Sequence, residues 1–418
     1  MHMKEIYSRW QKHSVAQAMT TRRVVLLVGA RQCGKTTLAK QLISDDTTYL
    51  TLDDVTLKEA AENDPQDFVK HKSKTLIIDE IQRVPSLLPA IKKIVDEHTQ
   101  PGQYLLTGSA DIQTLPTTQE SLAGRISKIR LRSLSQGEIQ GNEPNFLTYA
   151  FNQSFNFHWN AYEKDAIIEM AFRGGFPEAL LLEGRNRKKW HRDYMEALLA
   201  RDLKDVAKIH KYDAMRELVK VLAAWSSKFM DVAAISSGLS VRRPTVEAYI
   251  NALEALYIVE RVSPWTKTDY ARVGKQAKLF MADSGLMSSI LSWNMDQVRF
   301  DADRLGKLIE TFVFNELASQ IDASEEEYEL YHYRDREKRE IDFLIEREDR
   351  AILGIEVKSS SSIHKEDFKH LQWFQKTLAK DKLFIGMVLY SGSRPLSFGT
   401  NLWAIPISML WTPYSSIG

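Results

Sequence analysis

A single cysteine in 418 residues leaves no partner for an internal disulfide and no thiolate set for a zinc site, which suits a reducing compartment. No apolar run approaches the ~18 residues of a membrane-spanning helix, and the opening Met1-His2-Met3-Lys4-Glu5 has no signal-peptide core. The expectation is a cytoplasmic protein without a membrane partner. Charge of one sign is missing too. The 56 Lys and Arg nearly cancel 55 Asp and Glu, leaving +1, so nothing global points to a nucleic acid. No internal repeat or low-complexity tract appears. What remains, 27% charged and 44% hydrophobic residues, is ordinary for a globular protein, and the length suits two or three domains.

The most informative stretch is Gly29-Ala30-Arg31-Gln32-Cys33-Gly34-Lys35-Thr36-Thr37, which completes the phosphate-loop pattern GxxxxGK[ST]. Its glycines let backbone N–H groups turn inward around a polyphosphate. Lys35 reaches the β and γ oxygens, and the Thr36 hydroxyl ligates Mg²⁺. The context fits: Val24-Val25-Leu26-Leu27-Val28 reads as a buried parallel strand, and Leu38, Ala39, Leu42 and Ile43 recur as on a helix. The pattern therefore implies ATP as cofactor. Cys33, inside the loop, is either an oxidisable thiol or a plain small loop residue.

A second strand, Thr75-Leu76-Ile77-Ile78-Asp79-Glu80, ends in two acids. Asp79 is expected to hold the Mg²⁺ shell and Glu80 to polarise the attacking water. A third, Gln103 to Thr107, ends in Gly108-Ser109, whose polar tip either contacts the γ-phosphate through Thr107 or Ser109 or simply turns the chain.

The strings GARQCGKTT, LIIDEIQ, LLTGS and SLAGRI, with Ala171-Phe172-Arg173-Gly174-Gly175-Phe176-Pro177-Glu178 further on, resemble the AAA-type ATPases of bacteria and archaea that carry a C-terminal domain of unknown function. The resemblance covers nearly the whole chain. It implies an additional-strand P-loop fold and a homo-oligomer, expected as a ring, in which an arginine completes the neighbouring subunit's site. Arg125 fits that role best, with Arg130 and Arg132 close behind; the alternative for Arg125 is a local salt bridge.

The organisation expected is an AAA-type ATPase domain over 1–140, a linker and helical region over 141–228, a winged-helix module over 229–268, and a C-terminal α/β domain over 269–418. From 184 to 228, 12 Lys/Arg face 6 Asp/Glu, with a dense run at Arg185-Asn186-Arg187-Lys188-Lys189. That run is either a phosphate-backbone contact for DNA or a solvated face. In the winged-helix segment Ser240 is read as the N-cap region of a second helix, whose start carries Arg242, Arg243 and Thr245. Such modules grip DNA or dock proteins.

In the last third, a helix over 303–321 containing Glu310, strands at 328–334, 340–346 and 351–358, a helix at 365–378 and a strand at 383–390 give the order α-β-β-β-α-β. With Asp342 in Glu-Ile-Asp-Phe and Glu356-Val357-Lys358 after it, this resembles the restriction-endonuclease-like PD-(D/E)XK fold. Strand alternation puts Glu356 and Lys358 on one face. The resemblance implies that Asp342 and Glu356, with Glu310 from the helix, hold Mg²⁺ beside Lys358. The alternative is an inherited scaffold that binds DNA without cutting it. Two functions follow: an ATP-driven DNA-processing machine, or a signalling or scaffold NTPase whose C-terminal domain only binds.

Overall fold

The computed structural model describes residues 7–110, 124–155, 161–201, 212–239, 241–268 and 276–412. Ser121 to Ala123 of SLAGRI and the expected N-cap Ser240 lie outside them. The N-terminal part is built on strands β1 (Val24–Val28), β2 (Thr47–Thr51), β3 (Thr75–Asp79), β4 (Tyr104–Gly108) and β5 (Ile126–Arg130). All are parallel, in the order β2-β3-β4-β1-β5. β4 is thus the additional strand between the loop-bearing β1 and the acid-bearing β3. The five residues of β1 are all buried, as a strand covered on both faces requires. Parallel alignment brings every C-terminal strand end to one edge, where the loop, the two acids and the Gly108-Ser109 tip meet.

Helices Lys164–Arg173, Pro177–Leu180, Gly184–Arg201 and Tyr212–Trp225 follow, as the helical pattern anticipates. Helices Val232–Leu239 and Arg243–Ala255 precede β7 (Val259–Pro264) and β8 (Lys278–Met281), and the short β6 (Lys228–Phe229) pairs with β8. These strands do not form a separate module. β7 pairs in parallel with β9 (Tyr328–Arg334), so one nine-stranded mixed sheet crosses the boundary expected at 268–269. The sheet continues through β10 (Glu340–Arg347), β11 (Ile352–Lys358), β12 (Phe384–Tyr390), β14 (Leu402–Pro406) and β13 (Leu396–Gly399).

Helix Ala302–Ala323 packs on this sheet and also reaches the N-terminal part. Its Glu316 carboxylate accepts the Gln136 backbone N–H at 3.0 and 3.1 Å, and its Asp322 accepts from Arg132 Nε at 2.6 Å. Burial pushes the Glu316 carboxyl up to about 8. One hydrophobic core, from Val24 and Leu26 through Leu253 and Phe280 to Phe343 and Ile355, runs through both halves. Among the described residues no helix is long and apolar enough to cross a membrane.

Candidate functional site

The phosphate loop leaves β1 at Gly29 and enters helix Lys35–Lys40. Gly29 has φ 153°, and a Cβ there would sit 2.0 Å from the Leu131 carbonyl oxygen, so any side chain would displace the loop from β5. Lys35 is buried and donates to the carbonyls of Gly29 (3.0 Å) and Ala30 (2.9 Å). Cys33 is also buried, its Sγ 3.3 Å from the Leu131 oxygen, which suits the plain loop residue better than an accessible thiol.

Asp79 is the hub. Its carboxylate accepts from Thr36 Oγ1 (3.1 and 3.0 Å), from Tyr49 OH (3.0 Å) and from Thr107 Oγ1 (2.5 Å). Burial, then the Asp79 charge, pushes the Tyr49 phenol up, so it stays a donor. Two hard oxygen ligands, the Thr36 hydroxyl and an Asp79 carboxylate, are therefore side by side at the loop, a pairing that fits Mg²⁺ completed by phosphates and water.

Glu80 follows in the left-handed conformation, φ 61°, with its N–H donating to Thr107 Oγ1 (3.1 Å). Its side chain accepts from Gln82 Nε2 and from Ser109 Oγ (3.2 Å), while Gln82 also donates to Ser109 Oγ (2.9 Å). Ser109 and Thr107 thus act on the two acids from β4.

The cleft over the loop has a volume of ≈ 330 Å³; Tyr7, Arg9, Leu134, Pro177, Glu178 and Leu181 face Lys35 and Glu80 across it. The Arg-Gly-Gly-Phe-Pro-Glu string belongs to this site. Gly175 donates to Asp283 (2.8 Å), and a Cβ on it would meet the Leu134 oxygen at 2.0 Å, which sets Pro177 and Glu178 over the loop. Sequence reasoning missed Arg9. Its guanidinium donates to the Cys33 carbonyl (2.7 Å), the Arg132 carbonyl (2.8 Å) and Glu138 (2.9 Å), tying the loop to the stretch that follows β5.

Arg125 precedes β5, its carbonyl accepting from Val24 N–H at the start of β1. That is the end of the sheet opposite the chain's own loop, so it cannot serve that site. Within the chain it pairs with Asp96. Arg130 and Arg132 are committed elsewhere: both bind Glu260 of β7, at 2.7 and 2.8 Å, and Arg132 also binds Asp322.

The basic run divides. Arg187 and Lys188 donate to the carbonyls of Ala179 (3.1 Å) and Trp293 (2.6 Å), whereas Arg185, Lys189 and Arg192 are exposed. His191 is buried, 2.8 Å from Ser289 Oγ, and burial, then the Arg187 charge, lowers it to about 4. Arg242 and Arg243 are exposed at the tip of their helix, with Arg243 3.3 Å from Glu247.

The C-terminal acids meet around a residue that the sequence did not single out. Lys278 Nζ lies 2.6 Å from Glu310, 3.1 Å from Glu340 and 2.9 Å from Asp342, whose other oxygen accepts the Val357 N–H at 3.0 Å. Burial opposes charge on Lys278, but Asp342, Glu310 and Glu340 outweigh it and raise its pKa. Burial and the Asp342 charge push Glu310 up to about 8 and Glu356 well above the usual carboxylate range. Glu356 is buried, and its Oε1 has no hydrogen-bond partner among the described residues. Lys358 is partly exposed, 4.0 Å from Asp367. Among the described residues no three His, Cys, Asp or Glu are grouped to hold a metal. The Mg²⁺ expected on Glu310, Asp342 and Glu356 does not fit this arrangement, because an ammonium already sits against two of them.

Comparison with known proteins accords with the N-terminal geometry. Residues 21–140 match a family model described as an AAA domain; residues 164–297 and 305–410 match two domains of unknown function, DUF8612 and DUF4143. Two uncharacterized proteins, from Mycobacterium bovis and Mycobacterium tuberculosis, are each 27% identical over 342 residues, 81% of this chain and 71% of theirs. Among solved structures, the Thermotoga maritima RuvB Holliday junction branch migration motor is 16% identical, covering 64% of this chain and 96% of that one, with a TM-score of 0.28. The S. cerevisiae Hsp104-ADP complex is 12% identical, covering 77% of this chain and 44% of that one, with a TM-score of 0.30. Likeness at these scores carries no conclusion about function. The matched segment coincides with the parallel sheet and the phosphate loop: residues 21–140 are similar to an AAA domain and carry the P-loop.

Proposed function

We propose that this protein hydrolyses ATP with Mg²⁺ as a homo-oligomer, and that its nucleotide state governs how the remainder of the chain engages DNA. The observation that carries the first part is the Thr36–Asp79–Thr107 group beside a Glu80 held by Gln82 and Ser109. Bound Mg²⁺–ATP supplies the phosphoryl group and a metal that neutralises its charge. Lys35 then exchanges two loop carbonyls for phosphate oxygens. Thr36 and Asp79 offer oxygens to the metal, and Glu80 orients the attacking water and takes its proton. Phosphate release from wild-type protein with ATP, with and without Mg²⁺, tests this; no Mg²⁺-dependent turnover would overturn it.

The position of Arg125, at the far end of the sheet from its own loop, supports a role at a neighbour's site. Arg125→Ala and Glu80→Gln should each be nearly inactive alone. Mixed, they should recover measurable ATP hydrolysis, because an intact Glu80 site on one subunit then meets an intact Arg125 on the next. No recovery in assemblies that demonstrably mix would rule out action in trans.

Exposed Arg185, Lys189, Arg192, Arg242 and Arg243 support a DNA partner held by its phosphates. If these five side chains make the contact, affinity should fall about 10²–10³-fold between 50 and 200 mM salt. DNA should also stimulate ATP hydrolysis, on duplex, single-stranded or branched forms. The second reading, a scaffold NTPase whose C-terminal domain binds without cutting, is favoured by Lys278 sitting among the acids. Salt-insensitive binding and hydrolysis indifferent to every DNA would select it.

A further inference from the structure

We propose that Lys278 is the resident cation of the C-terminal acid cluster. Its ammonium fills the place that the Asp342 and Glu356 pattern would give to a divalent metal, and the cluster is a metal-free site closed by the protein itself. An ammonium has three N–H donors. Here three carboxylate oxygens, from Glu310, Glu340 and Asp342, lie 2.6, 3.1 and 2.9 Å from Nζ, while Lys278 is 1% exposed. Glu340 and Asp342 accept hydrogen bonds from Nζ, and Glu310 pairs with it by charge. Mg²⁺ needs six oxygens at about 2.0–2.1 Å, so this cage is sized for nitrogen.

The surroundings point the same way. The Nζ lies 5.6 Å from the Phe229 ring centroid and 6.0 Å from that of Phe280, faces that attract a cation but supply no ligand oxygen. One Asp342 oxygen is already spent on the Val357 N–H.

Lys278 is also built in. It opens β8, which is paired on one side with β7 and on the other with β6. Two residues on, Phe280 stacks at 4.4 Å on Phe314 and contacts Phe343 at 5.4 Å. The acids come from helix Ala302–Ala323 and β10, so the cation and its cage are delivered by three separate elements and are locked by core packing. This inference rests on the cluster alone; loss of the ATPase reading would leave it standing.

Mn²⁺ titration of the full chain without nucleotide, read as the free-ion electron paramagnetic resonance signal, tests it. Any Mn²⁺ held at Thr36 and Asp79 is common to every variant used. Wild type and Asp342→Asn should bind Mn²⁺ identically. Lys278→Ala should gain a site at least about tenfold tighter than anything wild type shows at the cluster. That gain should vanish in Lys278→Ala/Asp342→Asn and be absent from Lys278→Arg. Wild-type binding that weakens in Asp342→Asn would overturn the proposal, as would a folded Lys278→Ala that gains nothing. If Lys278→Ala does not fold, the comparison of wild type with Asp342→Asn still decides.

Discussion

Glu80→Gln should bind ATP as wild type does and hydrolyse it about 10²–10⁴-fold more slowly, the contribution expected of a positioned general base. The amide keeps the shape of the carboxylate, so the loop, Lys35 and the Thr36–Asp79 pair should stay as they are. What it loses is the proton acceptor. The local structure indicates how firmly that acceptor is held: Glu80 has φ 61° and ψ 44°, a conformation that costs a non-glycine residue energy and persists only where neighbours impose it. Thr107 imposes it, accepting the Glu80 N–H while donating to Asp79, so one β4 hydroxyl fixes the metal-side acid and the base together. Gln82 and Ser109 hold the side chain from the other side. Phosphate release and fluorescent-nucleotide binding, measured on the same preparation, separate the two effects. Full turnover in the variant would place the base elsewhere.

The phosphate loop is legible in the sequence because its function is written in backbone geometry. A glycine is required where a Cβ would strike Leu131, and a lysine and threonine are required at fixed distances along one turn. Asp79 and Glu80 are legible because an apolar strand announces them and parallel alignment brings them to the same edge. Their partners are not. Tyr49 reads as one more strand aromatic, and Arg9 lies 129 residues from the Glu138 it binds, beyond the reach of any local pattern.

The C-terminal half shows the same divide. Alternation correctly buries Ile355 in the core, with Val357 packed against it, on the strand Ile352–Lys358. It cannot foresee the irregular β9–β10 pairing between Ile341 and Leu344, the stretch that holds Asp342. Nor can it foresee that β8, which pairs with the β7 strand expected as a separate wing, enters the same sheet and brings Lys278 with it. A short motif specifies which side chains share a face. Tertiary packing decides what stands in front of them.

Arg132→Met should destabilise the protein by about 3–5 kcal/mol, the usual consequence of removing one partner from a buried ion pair. The Arg132 side chain is 9% exposed and makes three charged hydrogen bonds, to Asp322 at 2.6 Å and to the two oxygens of Glu260 at 2.8 and 3.0 Å. These join the end of β5 to β7 and to helix Ala302–Ala323, so the loss should fall on the seam between the N-terminal parallel sheet and the C-terminal sheet. The pH dependence gives a second readout. Burial alone would raise Glu260, but Arg130 and Arg132 outweigh it and hold it at about 2, against an ordinary 4.5. A carboxyl depressed on folding stabilises the native state above its unfolded pKa, and that contribution is lost as pH falls through the folded one. Wild-type stability should therefore decline between about pH 4.5 and 2. Arg132→Met should decline less steeply there, with Arg130 left as the nearer cation, so the gap between the two proteins should narrow in acid. Urea unfolding at pH 7 and at pH 3.5 measures both quantities. A variant that matched wild type at pH 7, or a gap that widened in acid, would mean that Asp322 and Glu260 are compensated at this seam by groups other than Arg132.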